Sequence, residues 1–213
     1  MGEVKFYYGV MGAGKSTLLA QISHNMHSRG LEVATLKPGI DTKGDDHIIS
    51  RMGTGHKADM IVSPEANVRE TVRAHMGKRG VKLSTLVVDE AQFLTPDQAD
   101  ELVEGAVYDD YDVFAGGLRT NVYKELFPGS KRLFEVAHHC IELTLPNPCR
   151  CGEQAVFNGR WIDGVFDINS DGPVNLIDGS SADMEYDVFC HECFDKHVEA
   201  SRLLQQALTA RAS

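Results

Sequence analysis

No stretch of eighteen consecutive apolar residues occurs in this chain, so it offers no candidate for a membrane-spanning helix. A basic-then-apolar leader is also missing. The N-terminus runs straight into a β-prone segment, which predicts a cytoplasmic protein rather than a secreted one. Positive charge is in short supply: 21 Lys and Arg stand against 31 Asp and Glu, a formal net charge of −10. Binders of nucleic-acid polymers carry a broad basic footprint, and this balance argues against one here. A small anionic ligand is not excluded, because one local nest of N–H groups can bind it against the global sign.

Cysteine is scarce, odd in number and late: Cys140, Cys149, Cys151, Cys190 and Cys193. In a chain without a leader, that pattern speaks against a disulfide frame and for metal ligation in a reducing compartment. Internal repeats and low-complexity tracts are absent as well. The 213 residues suffice for one α/β core with a small appendage.

What is present begins with Gly9-Val10-Met11-Gly12-Ala13-Gly14-Lys15-Ser16, which fits the phosphate-loop pattern G-x-x-x-x-G-K-[ST] at every fixed position. Val4-Lys5-Phe6-Tyr7-Tyr8 before it reads as a strand. Residues 17–29 after it read as a helix, with Leu18, Leu19, Ile22 and Met26 on one face and Gly30 as the stop. In that context the glycines let successive N–H groups face the phosphates of a nucleotide, and the helix points its positive end at them. Lys15 then reaches the β- and γ-phosphates of the nucleotide, and the Ser16 hydroxyl suits Mg²⁺. Gly9, Met11, Gly12, Ala13 and Gly14 complete this candidate cofactor site.

A second strand is expected over 31–36, followed by the polar loop Asp41-Thr42-Lys43-Gly44-Asp45-Asp46, either an active-site loop or solvated surface. Residues 57–62 suggest a short strand and 65–78 a helix. Residues 83–88 form an apolar, β-branched run that ends in Asp89-Glu90. Buried parallel strands have this composition, and ligands gather at their carboxyl ends. Asp89 suits Mg²⁺, held directly or through water, and Glu90 suits a general base; the plainer reading of the pair is a helix N-cap. A helix over 97–107 and a strand over 112–118 follow. Arg119 either touches phosphate or pairs with neighbouring acids. A short helix is expected over 131–137 and a strand over 141–145, with His138 and His139 as packing or surface residues.

Composition changes after Pro146-Asn147-Pro148. Cys149-Arg150-Cys151 and Cys190-His191-Glu192-Cys193 flank about forty residues with β-like patches. Two paired-cysteine knuckles indicate a structural Cys₄ zinc site, with His191 or Cys140 as substitute ligands and buried free thiols as the alternative. The implied organisation is a nucleotide-binding domain over 1–146, a zinc-binding domain over 147–194 and a helical tail over 195–213.

Taken together, four segments resemble the type II, zinc-containing thymidine kinase family. They are Tyr7 through the glycine loop to Thr17, Val88-Asp89-Glu90-Ala91-Gln92-Phe93, Gly117-Leu118-Arg119-Thr120 with Glu125-Leu126-Phe127-Pro128-Gly129-Ser130, and Tyr186-Asp187-Val188-Phe189-Cys190-His191-Glu192-Cys193-Phe194. The resemblance implies an α/β fold: a P-loop NTPase (RecA-like) parallel sheet flanked by helices, with a small zinc-ribbon domain whose lasso closes over the nucleoside. It implies transfer of the ATP γ-phosphate to the 5′-hydroxyl of thymidine or deoxyuridine. It also implies a homotetramer and feedback inhibition by thymidine triphosphate. By the same resemblance Lys15, Ser16 and Thr17 hold the ATP phosphates and Mg²⁺, Asp89 supports the Mg²⁺, Gln92 joins the cofactor site and Glu90 falls on the general base. Phe93, Leu118, Arg119, Phe127, Ile177, Gly179 and Tyr186 fall on substrate-binding positions.

The chain departs from the family pattern at four places: Asp41-Thr42-Lys43, where Lys replaces Arg; Asn121-Val122, where Asp-Phe is usual; Ile177-Asp178-Gly179; and a six-residue spacer before Tyr186. Two other readings compete. Asp89-Glu90-Ala91-Gln92 also resembles the second motif of a helicase- or recombinase-type ATPase, although such enzymes generally need paired cores and basic surfaces. A zinc-ribbon interaction module with a vestigial nucleotide site is the other, and the intact Lys15, Ser16, Asp89 and Glu90 oppose it.

Overall fold

The computed structural model describes residues 1–39, 47–49, 55–144, 147–169 and 183–212. The Asp41-Thr42-Lys43 loop and the Ile177-Asp178-Gly179 motif therefore lie outside the described residues. The chain divides into two compact units. The first comprises Met1–Gly9, Gly14–Arg119 and Phe127–Leu143; the second comprises Val10–Ala13, Thr120–Leu126 and Thr144–Ser213.

In the first unit the chain runs β1 (Val4–Gly9), α1 (Lys15–His27), β2 (Val33–Pro38), the antiparallel pair β3 (His47–Ile49) and β4 (Gly55–Lys57), then β5 (Met60–Val62) and α2 (Val68–Arg79). It continues through β6 (Thr85–Val88), a 3₁₀ turn at Ala91–Phe93, α3 (Pro96–Asp109), β7 (Asp112–Leu118), α4 (Pro128–Val136) and β8 (His139–Glu142). Six strands form one sheet in the order β5-β2-β6-β7-β1-β8, and every neighbouring pair is parallel. Parallel strands are usually joined by helical crossovers that cover both faces, and the central strands β6 and β7 are accordingly buried along most of their length. Successive residues serve opposite faces. Leu86 and Val88 of β6 join Phe6, Leu36, Val68, Leu102 and Leu133 in the cluster beneath α2, α3 and α4. Val87, between them, joins Leu19, Val33 and Phe114, with Ile22 and Met26 of α1 packed against that second cluster.

Local chemistry sets several boundaries. Helix α2 starts at Val68, later than its composition suggests, because the Asn67 side chain accepts the N–H of Glu70 as an N-cap. Thr95 and Gln98 form a full capping box at the head of α3, with Pro96 in its first turn. Helix α4 begins at Pro128 rather than 131, since proline is preorganised for a first helical turn. Strand β8 begins at His139, two residues before its expected start. Both histidines have partners there: His138 Nδ1 accepts the Val4 N–H at 3.0 Å, and His139 Nε2 lies 3.3 Å from Glu3.

The second unit contains a three-stranded antiparallel sheet, β10-β9-β11, built from β9 (Phe157–Ile162), β10 (Val165–Phe166) and β11 (Met184–Phe189). The long helix α5 (His191–Ala212) follows. Phe157, Phe166, Phe189 and Phe194 pack around Cys149 and Cys190. Arg160 is fully buried and ion-paired to Asp167 at 2.5 Å; the Tyr123 hydroxyl donates to the same carboxylate at 2.7 Å. Burial, then that hydrogen bond, pushes the Tyr123 hydroxyl up to about 12. The outer half of α5 exposes Leu203, Leu204 and Leu208.

Candidate active site

The glycine loop begins at Gly9, the last residue of β1. Gly12 and Gly14 sit at φ 75° and 80°, in the left-handed region where only glycine is at ease. A Cβ on Gly12 would also come within 2.8 Å of Asn147 Nδ2. The Met11 peptide unit is anchored on both sides. Its N–H donates to Asn158 Oδ1 at 2.7 Å, and its C=O accepts from Asn147 Nδ2 at 2.5 Å. Helix α1 then starts from Gly14 without a side-chain cap and without an acid in its first turn, unlike α2 and α3. Such an N-terminus leaves its free N–H groups and positive dipole end to an anion. Lys15 Nζ lies 3.4 Å from the carbonyl of Gly9.

At the carboxyl end of β6, Asp89 is only 5% exposed. It accepts the N–H of Glu90 at 2.9 Å and a hydrogen bond from the Ser16 hydroxyl. Burial, followed by the neighbouring Glu90 charge, pushes its carboxyl above the usual range. The Glu90 N–H, Ser16 and the Lys37 charge pull the other way. A carboxylate oxygen beside a hydroxyl is a donor set for a hard divalent cation, and the residues here fit Mg²⁺.

Glu90 adopts φ 54°, ψ 35°, a left-handed conformation that costs a non-glycine residue about 1–3 kcal/mol and clusters at functional sites. Surrounding packing holds the turn. Gln92 Nε2 donates to Glu90 Oε2 at 2.5 Å, and Gln92 Oε1 accepts the Leu118 N–H at 3.0 Å. The Ser130 hydroxyl donates to the Leu118 carbonyl at 2.6 Å. Gly129 brings the start of α4 against the turn so closely that a Cβ would lie 2.6 Å from the carbonyl oxygens of both Ala91 and Leu94. Phe93 and Phe127 meet edge to face, with centroids 5.5 Å apart. Ser16 with Asp89, Gln92 with both Glu90 and Leu118, and Phe93 with Phe127 are thus in direct contact in the first unit.

In the second unit Tyr186 is hydrogen-bonded to the buried Arg160. Asn121 caps its own turn by accepting the N–H groups of Tyr123 and Glu125, and Val122 is buried. The Sγ atoms of Cys149, Cys151, Cys190 and Cys193 all lie within 4.8 Å of one another, and all four cysteines are free. Cys151 and Cys190 are 3.6 Å apart, and the Cys193 N–H points at Cys190 Sγ at 3.5 Å. Tetrahedral zinc with sulfur ligands needs S–S separations of about 3.8 Å, so the cluster fits that ion. His191 instead packs its ring against Phe157, and Cys140 lies in β8 of the first unit, outside the cluster.

The model of a family described as Thymidine kinase matches residues 2–194. The chain belongs to the thymidine kinase family. A thymidine kinase of Streptomyces avermitilis is 36% identical over 191 residues, which cover 89% of this chain and 87% of that protein. One of Streptomyces coelicolor is 33% identical over 210 residues, 98% of this chain and 96% of that protein. One of Ruegeria pomeroyi is 40% identical over 158 residues, 73% and 76%. Within this thymidine kinase family member, Asn147, Asn158 and Ser130 are positioning groups that reading along the sequence passes over. Ser130 ends the segment 125–130 that carries part of the family resemblance, but the two asparagines carry no local signal.

Proposed function

We propose that this chain is a thymidine kinase, transferring the γ-phosphoryl group of ATP to the 5′-hydroxyl of thymidine or deoxyuridine. The observation that carries the reading is the pairing of Glu90, strained and held by Gln92, with Asp89 and Ser16 beside it, in a chain matched by the family over residues 2–194.

In this reading Gly9–Ser16 is the phosphate loop of a RecA-like P-loop domain. The N–H groups after Gly12, Lys15 and Thr17 bind the phosphates of ATP, and Ser16 with Asp89 holds Mg²⁺. The cation, when bound, neutralises charge on the transferring group. Glu90 accepts the proton of the 5′-hydroxyl as its oxygen attacks the γ-phosphorus, and ADP leaves. Phe93, Leu118 and Phe127 provide an apolar wall for the pyrimidine ring. Arg119, Ile177, Gly179 and Tyr186 are assigned to the substrate by resemblance alone. The four cysteines hold a structural zinc ion, which closes the second unit's knuckle and takes no part in the transfer. A nucleotide-binding domain up to 146, homotetramer assembly, inhibition by thymidine triphosphate and a cytoplasmic location belong to the same reading. Among the described residues no helix is long and apolar enough to cross a membrane.

The test is a panel of deoxynucleosides incubated with ATP and Mg²⁺ and scored for monophosphate. Thymidine and deoxyuridine are expected to be converted, and the purine nucleosides left. ATP consumption stimulated by DNA and indifferent to thymidine would overturn the assignment.

A further inference from the structure

We infer that Gln92 is the positioning residue that fixes the carboxylate of Glu90 for proton transfer, an inference that rests on the thymidine kinase reading above. Gln92 is 1% exposed, and both polar ends of its amide are engaged. The orientation of that amide follows from its partners. A backbone N–H can only donate, so the amide oxygen must face Leu118 at 3.0 Å. The NH₂ group is thereby turned toward Glu90 Oε2 at 2.5 Å. Glu90 thus meets a donor that cannot flip into an acceptor. One carboxylate oxygen is held, and among the described residues the other carries no hydrogen bond and is left for the substrate hydroxyl.

The surroundings make this arrangement rigid. Leu118 is held at its N–H by Gln92 and at its C=O by Ser130. Gly117 supplies the room: a Cβ there would lie 2.9 Å from the Gln92 backbone nitrogen and 3.0 Å from its Oε1. A glutamate has three rotatable bonds, and Glu90 stands on a left-handed backbone at the mouth of a short turn. Without a partner its carboxylate would sample several rotamers, and a base must sit within hydrogen-bond reach of the proton it takes. With its amide occupied at both ends, Gln92 acts on the reaction through Glu90, in place of the direct cofactor contact that the resemblance implies for it.

The experiment is Gln92→Met, which keeps the side chain's length and removes both bonds, measured in the wild-type and Glu90→Ala backgrounds. In the folded wild-type background kcat for thymidine is expected to fall at least about tenfold, with KM for thymidine and ATP held within about twofold. In the Glu90→Ala background the same exchange is expected to leave the residual kcat unchanged within about twofold, because residues acting as a unit are not additive. A wild-type kcat for Gln92→Met, or an equal loss in both backgrounds, overturns the inference. If Gln92→Met does not fold, side-chain amide NMR on the intact protein decides. A Gln92 amide proton protected from solvent exchange and shifted by Glu90→Ala supports the inference. One that exchanges freely, or ignores Glu90→Ala, defeats it. A wild-type protein that phosphorylates no nucleoside would sink the kinase reading instead, and the NMR result separates the two failures.

Discussion

The backbone N–H of Met11, inside the glycine loop, donates to the side chain of Asn158 at 2.7 Å, although 147 residues separate the two in sequence. Asn158 is 3% exposed, and its Nδ2 also reaches the Thr120 carbonyl at 3.3 Å. Asn158→Ala strands both backbone groups, and an unsatisfied buried polar group costs about 1–3 kcal/mol. For a chain of this length each kcal/mol lowers the melting temperature by roughly 2–4 °C. Thermal melts should therefore show a drop of several degrees. A melting curve that overlays the wild type would mean that Asn158 does not hold the loop in solution.

Two glycines of the first unit should respond to alanine in opposite directions. At Gly129 the new Cβ would lie 2.6 Å from two backbone oxygens, and backbone cannot swing aside as a flexible side chain can. Overpacking of this kind typically costs about 1–3 kcal/mol, and here it also pushes α4 away from the Glu90 turn. At Gly77, within α2, nothing lies within 4 Å of the added Cβ. Gly77→Ala should stabilise the protein by about 0.4–1 kcal/mol through the entropy of the unfolded chain. Denaturant midpoints of the pair test this, and a shift in the same direction for both would contradict it.

Acid stability carries its own signature. Asp109 accepts two hydrogen bonds from Arg69, at 2.8 and 3.1 Å, and two from Arg73, at 3.0 and 2.7 Å. Its carboxyl is lowered to about 2, first by the Arg69 hydrogen bond, with burial opposing and Arg73 adding to the effect. A depressed carboxyl contributes stability that is fully present above its unfolded value near 3.8 and is lost as pH falls through about 2. Asp109→Asn should therefore be less stable than wild type at pH 7, with the gap closing between pH 4 and pH 2. A gap independent of pH over that interval would assign the loss to packing rather than to charge.

Local patterns made much of the first unit legible. The apolar run within Asp112–Leu118 and the β-branched run before Asp89 marked strands that are buried along most or all of their length, as in the interior of a parallel sheet. Met184–Phe189 was not legible: its burial alternates poorly, and it becomes a strand by antiparallel pairing with Phe157–Ile162 more than twenty residues upstream. Among the described residues edge strand β8 pairs only with β1, so polar His139 and Cys140 are tolerated within it and the apolar signal begins late. The candidate site divides in the same way. Glycine loop and acidic pair are short motifs with a mechanism, so their residues can be named from sequence alone. The contacts that hold them span long separations: Gln92 with Leu118 across 26 residues, Asn147 with Met11 across 136. No local periodicity encodes such pairs.

Glu90→Gln separates binding from chemistry. The exchange keeps the side chain's shape and leaves Ser16, Lys15 and the N-terminus of α1 untouched, so ATP affinity should match the wild type. A neutral amide cannot take the 5′-hydroxyl proton, and loss of a general base commonly costs about 10²–10⁴ in rate. Turnover with thymidine should fall by that order, while the dissociation constant for ATP, measured by calorimetry, stays within about twofold. Ser16→Ala should behave in the contrary sense, weakening Mg²⁺-dependent ATP binding because a hydroxyl ligand beside Asp89 is removed. If Glu90→Gln turned over thymidine at a near-normal rate, the proton would have to leave by another route, and the strained conformation of residue 90 would need a different explanation.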